Sequence, residues 1–431
     1  MKSTQHIWLL TTRLISALLV AGTTIGQRSS AAENAAEQSA EWPHWRGPDR
    51  NGISMETGWF GNKPDTKIRE VWRTSIGIGF SSMAVSSGRV YTMGQTATNG
   101  RDKNQQDVVY CLAAGTGKLI WKKSYPCELL ARNYDGGPHA TPAVEGGRAY
   151  TCSKLGQVFC FDAATGKVMW SADLHKGLGH KPPIWGFAGS PTVIGEKVLL
   201  NVGSAAIALD KSNGKPIWRS QTEGAGYGTP LPFEAGGMKG IAFLAAKHFV
   251  MVDHETGKEI WRIPWKTKFD INAADPVFSG DHMFVSSSYN TGCAVYKLQD
   301  GKGTQIWQNM AMKNQFNSSV LHQGHLYGFD GNVIGSAGTG GTLKCLEFMT
   351  GKEKWSAGGL GIGSLMLATG RLIVLSEKGE LVIARANPEK FDVLVRAQIL
   401  QGKCWTVPVL AGGVIYARDA AGDLVCVDAS R

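Results

Sequence analysis

Charge is scarce in this sequence: Asp, Glu, Lys and Arg together make up 19% of its 431 residues. Basic residues outnumber acidic ones, 45 to 35, yet no block of Lys and Arg occurs. Nucleic-acid binding therefore has no specific support. None of the eight cysteines is adjacent to another, and neither Cys-x-x-Cys nor Cys-x-x-Cys-His is present. Motifs for structural zinc, thioredoxin-like redox chemistry and c-type haem attachment are thus missing. A long apolar run is missing too. The strongest candidate, "LISALLVAGTTIG" (Leu14–Gly26), follows Lys2 and Arg13. It has the length of a signal-peptide core and is too short for a comfortable membrane span. Residues 1–32 are accordingly expected to be a signal peptide, cut near Ala32, with Gly26 as the alternative. No cysteine lies near that site to carry a lipid anchor. The expected location is periplasmic or secreted, with no membrane span after cleavage. Removing residues 1–32 takes away Lys2, Arg13 and Arg28, leaving a mild positive excess that reads as ordinary surface charge.

Glycine and tryptophan are plentiful, with 55 and 14 copies. This favours short strands and tight turns over helices. Much of that content sits in one repeated phrase: "CLAAGTGKLIW" at Cys111–Trp121, "CFDAATGKVMW" at Cys160–Trp170, "ALDKSNGKPIW" at Ala208–Trp218, "MVDHETGKEIW" at Met251–Trp261 and "CLEFMTGKEKW" at Cys345–Trp355. The closing tryptophans are Trp72, Trp121, Trp170, Trp218, Trp261, Trp307 and Trp355, spaced 43 to 49 residues apart. Such a period signals a propeller or solenoid. Each unit reads as four short strands, and a proline often precedes the first: Pro142, Pro191, Pro230, Pro276 and Pro408. Proline is tolerated there because the first residue of a strand need not donate to the ladder.

Eight units begin near Phe80, Ala140, Gly189, Gly228, Ala274, Ser318, Ser364 and Thr406. The seventh has lost the phrase, and the eighth ends at "LVCVDASR" without its outer strand. "KIREVWRT" (Lys67–Thr74) is an outer strand without a unit. Pairing the two termini predicts an all-β, eight-bladed β-propeller of four-stranded antiparallel blades over 67–431, preceded by an N-terminal arm over 33–66 carrying "WPHWRGP". The Asp of the phrase is expected to bond turn amides, its Gly to take a positive φ, and its Trp to wedge against the neighbouring blade. The "TGK" segments lack the upstream Gly and downstream Ser/Thr of a phosphate loop. Cys111, Cys160, Cys345 and Cys426 share one repeat position, which suits a small buried strand residue. Cys152 and Cys160 flank "KLGQ" and could face each other across a hairpin, where a disulfide is conceivable.

The phrase D-x-x-T-G-K-x-x-W at this period resembles the tryptophan-docking motif of PQQ-type (pyrroloquinoline quinone) propellers. The resemblance runs from Trp42 to Arg431; "WPHWRGPDRNGIS" and "CWTVPVLAGGVIYARDAAGDLVCVD" are similar to the two ends of small secreted members. It implies one of two roles. One is a non-catalytic scaffold in the cell envelope like BamB, the outer-membrane assembly factor, with an envelope protein or carbohydrate as partner. The other is a PQQ-dependent dehydrogenase of alcohols or polymer alcohols, holding PQQ with Ca²⁺. The dehydrogenases cover one face of the quinone with an adjacent Cys-Cys disulfide, which this sequence lacks, and they are usually longer. The expectation is therefore a scaffold without cofactor, metal or catalytic residue.

Function on a rigid scaffold tends to sit on long loops. Two connections between blades are unusually long, 122–140 and 171–189, and are expected beside the central funnel. They bring Arg132, Tyr134, Asp135, His139, His175, His180 and Trp185; shorter connections add Lys266, Asp270, Asn272, Asp275, Asn314, Gln315 and Asn317. This polar, aromatic set would suit sugars, peptides or a quinone acid; equally, the loops could pack on one another and cap the core. The three histidines lack ligand spacing. Asp275 could be a base, but Asp before Pro is also a common turn starter.

Overall fold

The computed structural model describes residues 41–61, 66–132, 134–203, 206–219, 224–334 and 337–430, the side chains of 333–339 excepted. The expected signal peptide lies outside the described residues. Strands dominate, and one short 3-10 turn, Lys268–Asp270, is the helical element among the described residues. Eight antiparallel sheets are arranged as an eight-bladed propeller. Blade 1 comprises Ala84–Ser86, Arg89–Gln95, Gln106–Ala113 and Leu119–Pro126, from the axis outwards. Blades 2 to 7 repeat the pattern with innermost strands Ala143–Glu145, Thr192–Ile194, Leu231–Ala235, Val277–Ser279, Val320–His322 and Ser364–Ala368. Each of the five expected prolines lies immediately before an innermost strand.

Blade 8 closes the ring. Val409–Ala411, Val414–Arg418 and Asp423–Asp428 are completed by Arg69–Ser75 from the other end of the chain, with Trp72 opposite Cys426. Arg418, fully buried, pins this closure by donating to the carbonyls of Gly77 (2.9 Å), Ser81 (3.2 Å), Met93 (2.7 Å) and Asp419 (3.3 Å).

The repeated phrase builds the contacts between blades. Trp72 Nε1 donates to Ala114 O (2.8 Å), Trp121 to Ala163 O (3.0 Å), Trp170 to Lys211 O (2.9 Å) and Trp218 to His254 O (3.2 Å). Each acceptor belongs to the turn of the next blade. The turn glycine then lies flat under the indole: a Cβ on Gly166 would stand 2.6 Å from Trp121. So this glycine answers two demands, a φ of +70° and space for a ring. Asp162 Oδ1 accepts from the Thr165 amide (2.8 Å) and hydroxyl (2.7 Å), fixing the turn. Blade 7, without the phrase, still offers the Asn387 carbonyl to Trp355 (2.8 Å).

Two features depart from the sequence reading. All eight cysteines are free and buried; register pairs Cys152 with Val158 and Cys160 with Tyr150, so the conceived Cys152–Cys160 bridge does not form. Blade 7 has a fifth strand, Ile53–Ser54, parallel to Ser364–Ala368 along the axis. This strand belongs to an arm threaded through the centre of the ring. Trp42 pairs with Val85 of blade 1, Pro43 O accepts from Val144 of blade 2, and Arg50 reaches Val193 O of blade 3. Arg46 reaches Ser319 O beside blade 6, while Glu56 accepts from the Gly412 and Gly413 amides of blade 8.

Candidate functional site

The innermost strands are short, so the residues leading into them crowd around the axis at one end. Their spacing is set by a chain of clasps. Ser82 N donates to Thr141 Oγ1 (3.1 Å), Thr141 N to Ser190 Oγ (2.9 Å), Ser190 N to Thr229 Oγ1 (3.1 Å), Thr229 N to Asp275 Oδ1 (2.8 Å) and Asp275 N to Ser318 Oγ (2.8 Å). Each blade from 2 to 6 thus contributes one short oxygen-bearing side chain at the same repeat position, and blade 1 the Ser82 amide. Two residues earlier stand Phe80, His139, Ala188, Tyr227, Ala273 and Phe316, and all six line one funnel of about 800 Å³.

Aromatic rings form much of its wall, in two arcs. In one, Trp405 lies between Phe316 (centroids 4.9 Å) and Phe80 (5.6 Å), and Phe80 meets Tyr134 (5.8 Å) and His139 (6.1 Å). In the other, Trp185 meets Tyr227 (6.2 Å) and Phe269 (6.4 Å), and Phe269 meets Tyr289 edge-on (6.0 Å). The arm supplies part of the lining through Trp45, whose Nε1 donates to Asp275 Oδ2 (2.6 Å).

Among the described residues Asp275 is the one carboxylate in this lining and Lys268 the one permanent cation. The Asp275 carboxyl is buried, with one oxygen engaged by Thr229 and the other by Trp45. Burial raises its pKa, and the nearby Arg46 charge works against that rise. Arg46 itself is buried, with Nη2 donating to Asn51 O (2.8 Å) and Ser319 O (2.9 Å). Burial, aided by the Lys154 charge, pushes His139 down to about 3, so its ring is neutral at physiological pH.

The structure gathers Tyr134, His139, Trp185, Asp275, Gln315 and Asn317 of the sequence candidates into the funnel. The others stand elsewhere. Arg132 is exposed, and its carbonyl receives Trp185 Nε1 (3.2 Å). Asp135 pairs with Lys403 (2.7 Å). His175 lines a separate cavity of about 520 Å³, and its Nδ1 contacts the carbonyl of buried His180 (3.1 Å). Lys266 is exposed, and neither it nor Asp270 is among the lining residues. Asn272 donates to the carbonyls of Ala245, Ala246 and Trp265, and Asn314 to that of Phe329, so both brace loops from within. Among the described residues no group of three or more His, Cys, Asp or Glu is placed to hold a metal ion.

Sequence reasoning missed Trp45, Phe80, Tyr227, Phe269, Tyr289, Phe316 and Trp405 as lining residues. A signal existed for three of them: with the units aligned on the clasp residue, Phe80, Tyr227 and Phe316 share one position with His139.

The family described as outer membrane protein assembly factor BamB matches residues 104–297 and 293–430. The chain belongs to this PQQ-like propeller family. Among curated proteins it is 24% identical over 279 residues to BamB of Burkholderia pseudomallei, covering 59% of this chain and 61% of that protein. It is also 24% identical over 208 residues to a quinoprotein ethanol dehydrogenase of Pseudomonas aeruginosa, covering 44% of this chain and 33% of that enzyme. The matches thus span between a third and about three fifths of these relatives' lengths. The quinohemoprotein alcohol dehydrogenase of Comamonas testosteroni superposes with a TM-score of 0.67 at 14% identity, over 93% of this chain and 82% of the other. That likeness is one of fold. Both an outer membrane protein assembly factor and dehydrogenases occur among the relatives, and no helix among the described residues is long and apolar enough to cross a membrane.

Proposed function

We propose that this PQQ-like propeller is a non-catalytic binding or assembly scaffold of the cell envelope, in the manner of BamB, and that its funnel receives the ligand or partner. The observation that carries this reading is the state of Asp275. A dehydrogenase of this family needs a carboxylate free to accept a proton beside its quinone. The one carboxylate among the described lining residues has both oxygens engaged by the fold itself. The rest of the lining does not fit PQQ either. A tricarboxylate calls for several cations, but Lys268 is exposed at the mouth and Arg46 donates to backbone carbonyls. A calcium ion calls for clustered carboxylate and amide oxygens; the Asn272 oxygen already accepts the Ser287 hydroxyl (3.0 Å).

Calorimetric titration of the purified exported protein with PQQ, with and without Ca²⁺, followed by a dye-linked assay on simple alcohols, tests this reading. The expected outcome is no calcium-dependent binding and no turnover. Calcium-dependent binding accompanied by turnover would replace the scaffold with an enzyme.

A further inference from the structure

Four residues at the funnel mouth hold a backbone conformation that side chains rarely adopt. Phe269 (φ 64°) and Asp270 (φ 57°) follow blade 4; Tyr289 (φ 55°) and Asn290 (φ 60°) lie in the turn within blade 5. The left-handed region disfavours any residue with a Cβ, and bulky rings more than most. Burial gives little back at Phe269, which is 54% exposed. The two strained rings meet edge-on, and Trp185 also meets Phe269 edge-on. Strain of this kind clusters at ligand clamps, and here it is kept in two adjacent loops at an opening, with the Phe269 ring exposed and the Tyr289 ring half-buried.

The chemistry of the lining narrows the ligand. Among the described lining residues an anion would find Lys268 alone, and a cation would find a carboxylate already engaged by Thr229 and Trp45. An aliphatic chain would find few aliphatic neighbours, chiefly Ile184 and Ile271, among many aromatic faces. A neutral ligand with both apolar faces and hydroxyl edges suits the wall better. Aromatic faces pack against the C–H face of a pyranose, while Asn290 offers an amide to its edges and Asn317 and Thr406, which donate to the Gly363 (2.7 Å) and Phe80 (3.4 Å) carbonyls, offer oxygens that can accept. The volume, about 800 Å³, has room for more than one such ring.

We propose that the funnel binds a neutral saccharide segment, held between the Phe80–Trp405 arc and a clamp formed by Phe269, Tyr289 and Trp185. This rests on the reading that the funnel is the binding site, and it goes further by naming the ligand class.

The test is titration of the purified exported protein, followed by intrinsic tryptophan fluorescence, with cellohexaose, maltohexaose and the N-acetylglucosamine hexamer. An anionic oligogalacturonate, a cationic chitosan oligomer and a Phe/Trp-rich neutral peptide complete the panel. At least one neutral oligosaccharide is expected to bind, with neither charged oligomer matching it. Phe269→Gly is the decisive variant because it relieves strain while removing a ring. Its thermal midpoint should stay the same or rise, and its saccharide affinity should fall roughly tenfold, the scale of one lost aromatic contact. Tyr289→Gly repeats the test at the second ring. Silence from all neutral saccharides, equal binding of a charged oligomer, or Phe269→Gly binding as tightly as the parent would overturn the proposal. Peptide binding without saccharide binding would overturn the ligand class and leave the funnel as a site. Calcium-dependent PQQ binding with turnover would instead remove the scaffold reading beneath it.

Discussion

At the scale of single residues, the funnel shows how position in a repeat becomes chemistry. His139 occupies the place that Phe80, Tyr227 and Phe316 occupy in other blades, and its ring is held neutral by burial. Its pKa is lowered from 6.5 to about 3, and His44 in the arm is held equally low. Below pH 6.5 the unfolded chain takes up these protons and the folded chain does not. Their contribution to stability is therefore complete above pH 6.5 and is lost as the pH falls towards 3. The slope is about 1.4 kcal/mol per pH unit for each histidine. Urea denaturation between pH 6 and 4.5 should show this loss, and His139→Phe should remove the His139 share, leaving that of His44 and those of His180 and His322, which burial also lowers. Asp275 teaches a similar lesson. From sequence it read more readily as a turn starter than as a base; the structure makes it the acidic member of a chain of Ser and Thr clasps, with its second oxygen taken by Trp45. That second partner lies 230 residues away, and no local pattern announces such a contact.

At the scale of the blade, the sequence was far more readable, because what holds neighbouring blades together is short-range and repeated. The Asp–Thr turn, the glycine and the tryptophan lie within eleven residues, and the acceptor for Trp72, Trp121, Trp170, Trp218 and Trp307 is the same phrase one period later. The expected strand order and the prolines before the inner strands follow from the same regularity. The funnel wall was less readable. Phe80, Tyr227, Phe316 and Trp405 sit in irregular connections, where neither a period of two nor the tryptophan phrase draws attention to them. Long loops drew attention instead, and they gave both lining residues such as Trp185 and bystanders such as His175. The docking account can be tested with one contrast. Gly166→Ala combines a left-handed backbone with a ring 2.6 Å from the new methyl, whereas Gly195→Ala at φ +55° meets nothing within 4 Å. The first should destabilise by about 2–4 kcal/mol and the second by about 1 kcal/mol, read from chemical denaturation.

At the scale of the whole molecule, a ring must be closed, and closure rests on few groups. Blade 8 is built from both ends of the chain, and Arg418 ties it to the segment that leads into blade 1. Burial brings its guanidinium down to about 10, which still leaves it charged at neutral pH. Arg418→Met would strand the carbonyls of Gly77, Ser81 and Met93 in a buried setting. Loss of about 3–5 kcal/mol is expected, since a buried carbonyl left without a donor costs about 1–3 kcal/mol and three are stranded with partial relaxation. A lower thermal midpoint with faster unfolding would report it, and an unchanged midpoint would show that strand pairing with Arg69–Ser75 closes the ring unaided.

The threaded arm bears on how the molecule comes to be assembled. Residues 42–60 touch blades 1, 2, 3, 5, 6, 7 and 8 around the axis, so their seat does not exist until the last blade has formed. The arm is made before any blade, and it must wait uncommitted while some 365 residues follow it. Long-range closure of this kind is slow. In refolding, amides of the arm such as Trp42 and Gly52, bonded to Val85 and Arg46, should gain protection from hydrogen exchange after those of blades 2 to 6. Trp45 arrives with them, so the funnel acquires this part of its wall in the closing step of folding. An incompletely folded chain would have no finished site to offer a ligand.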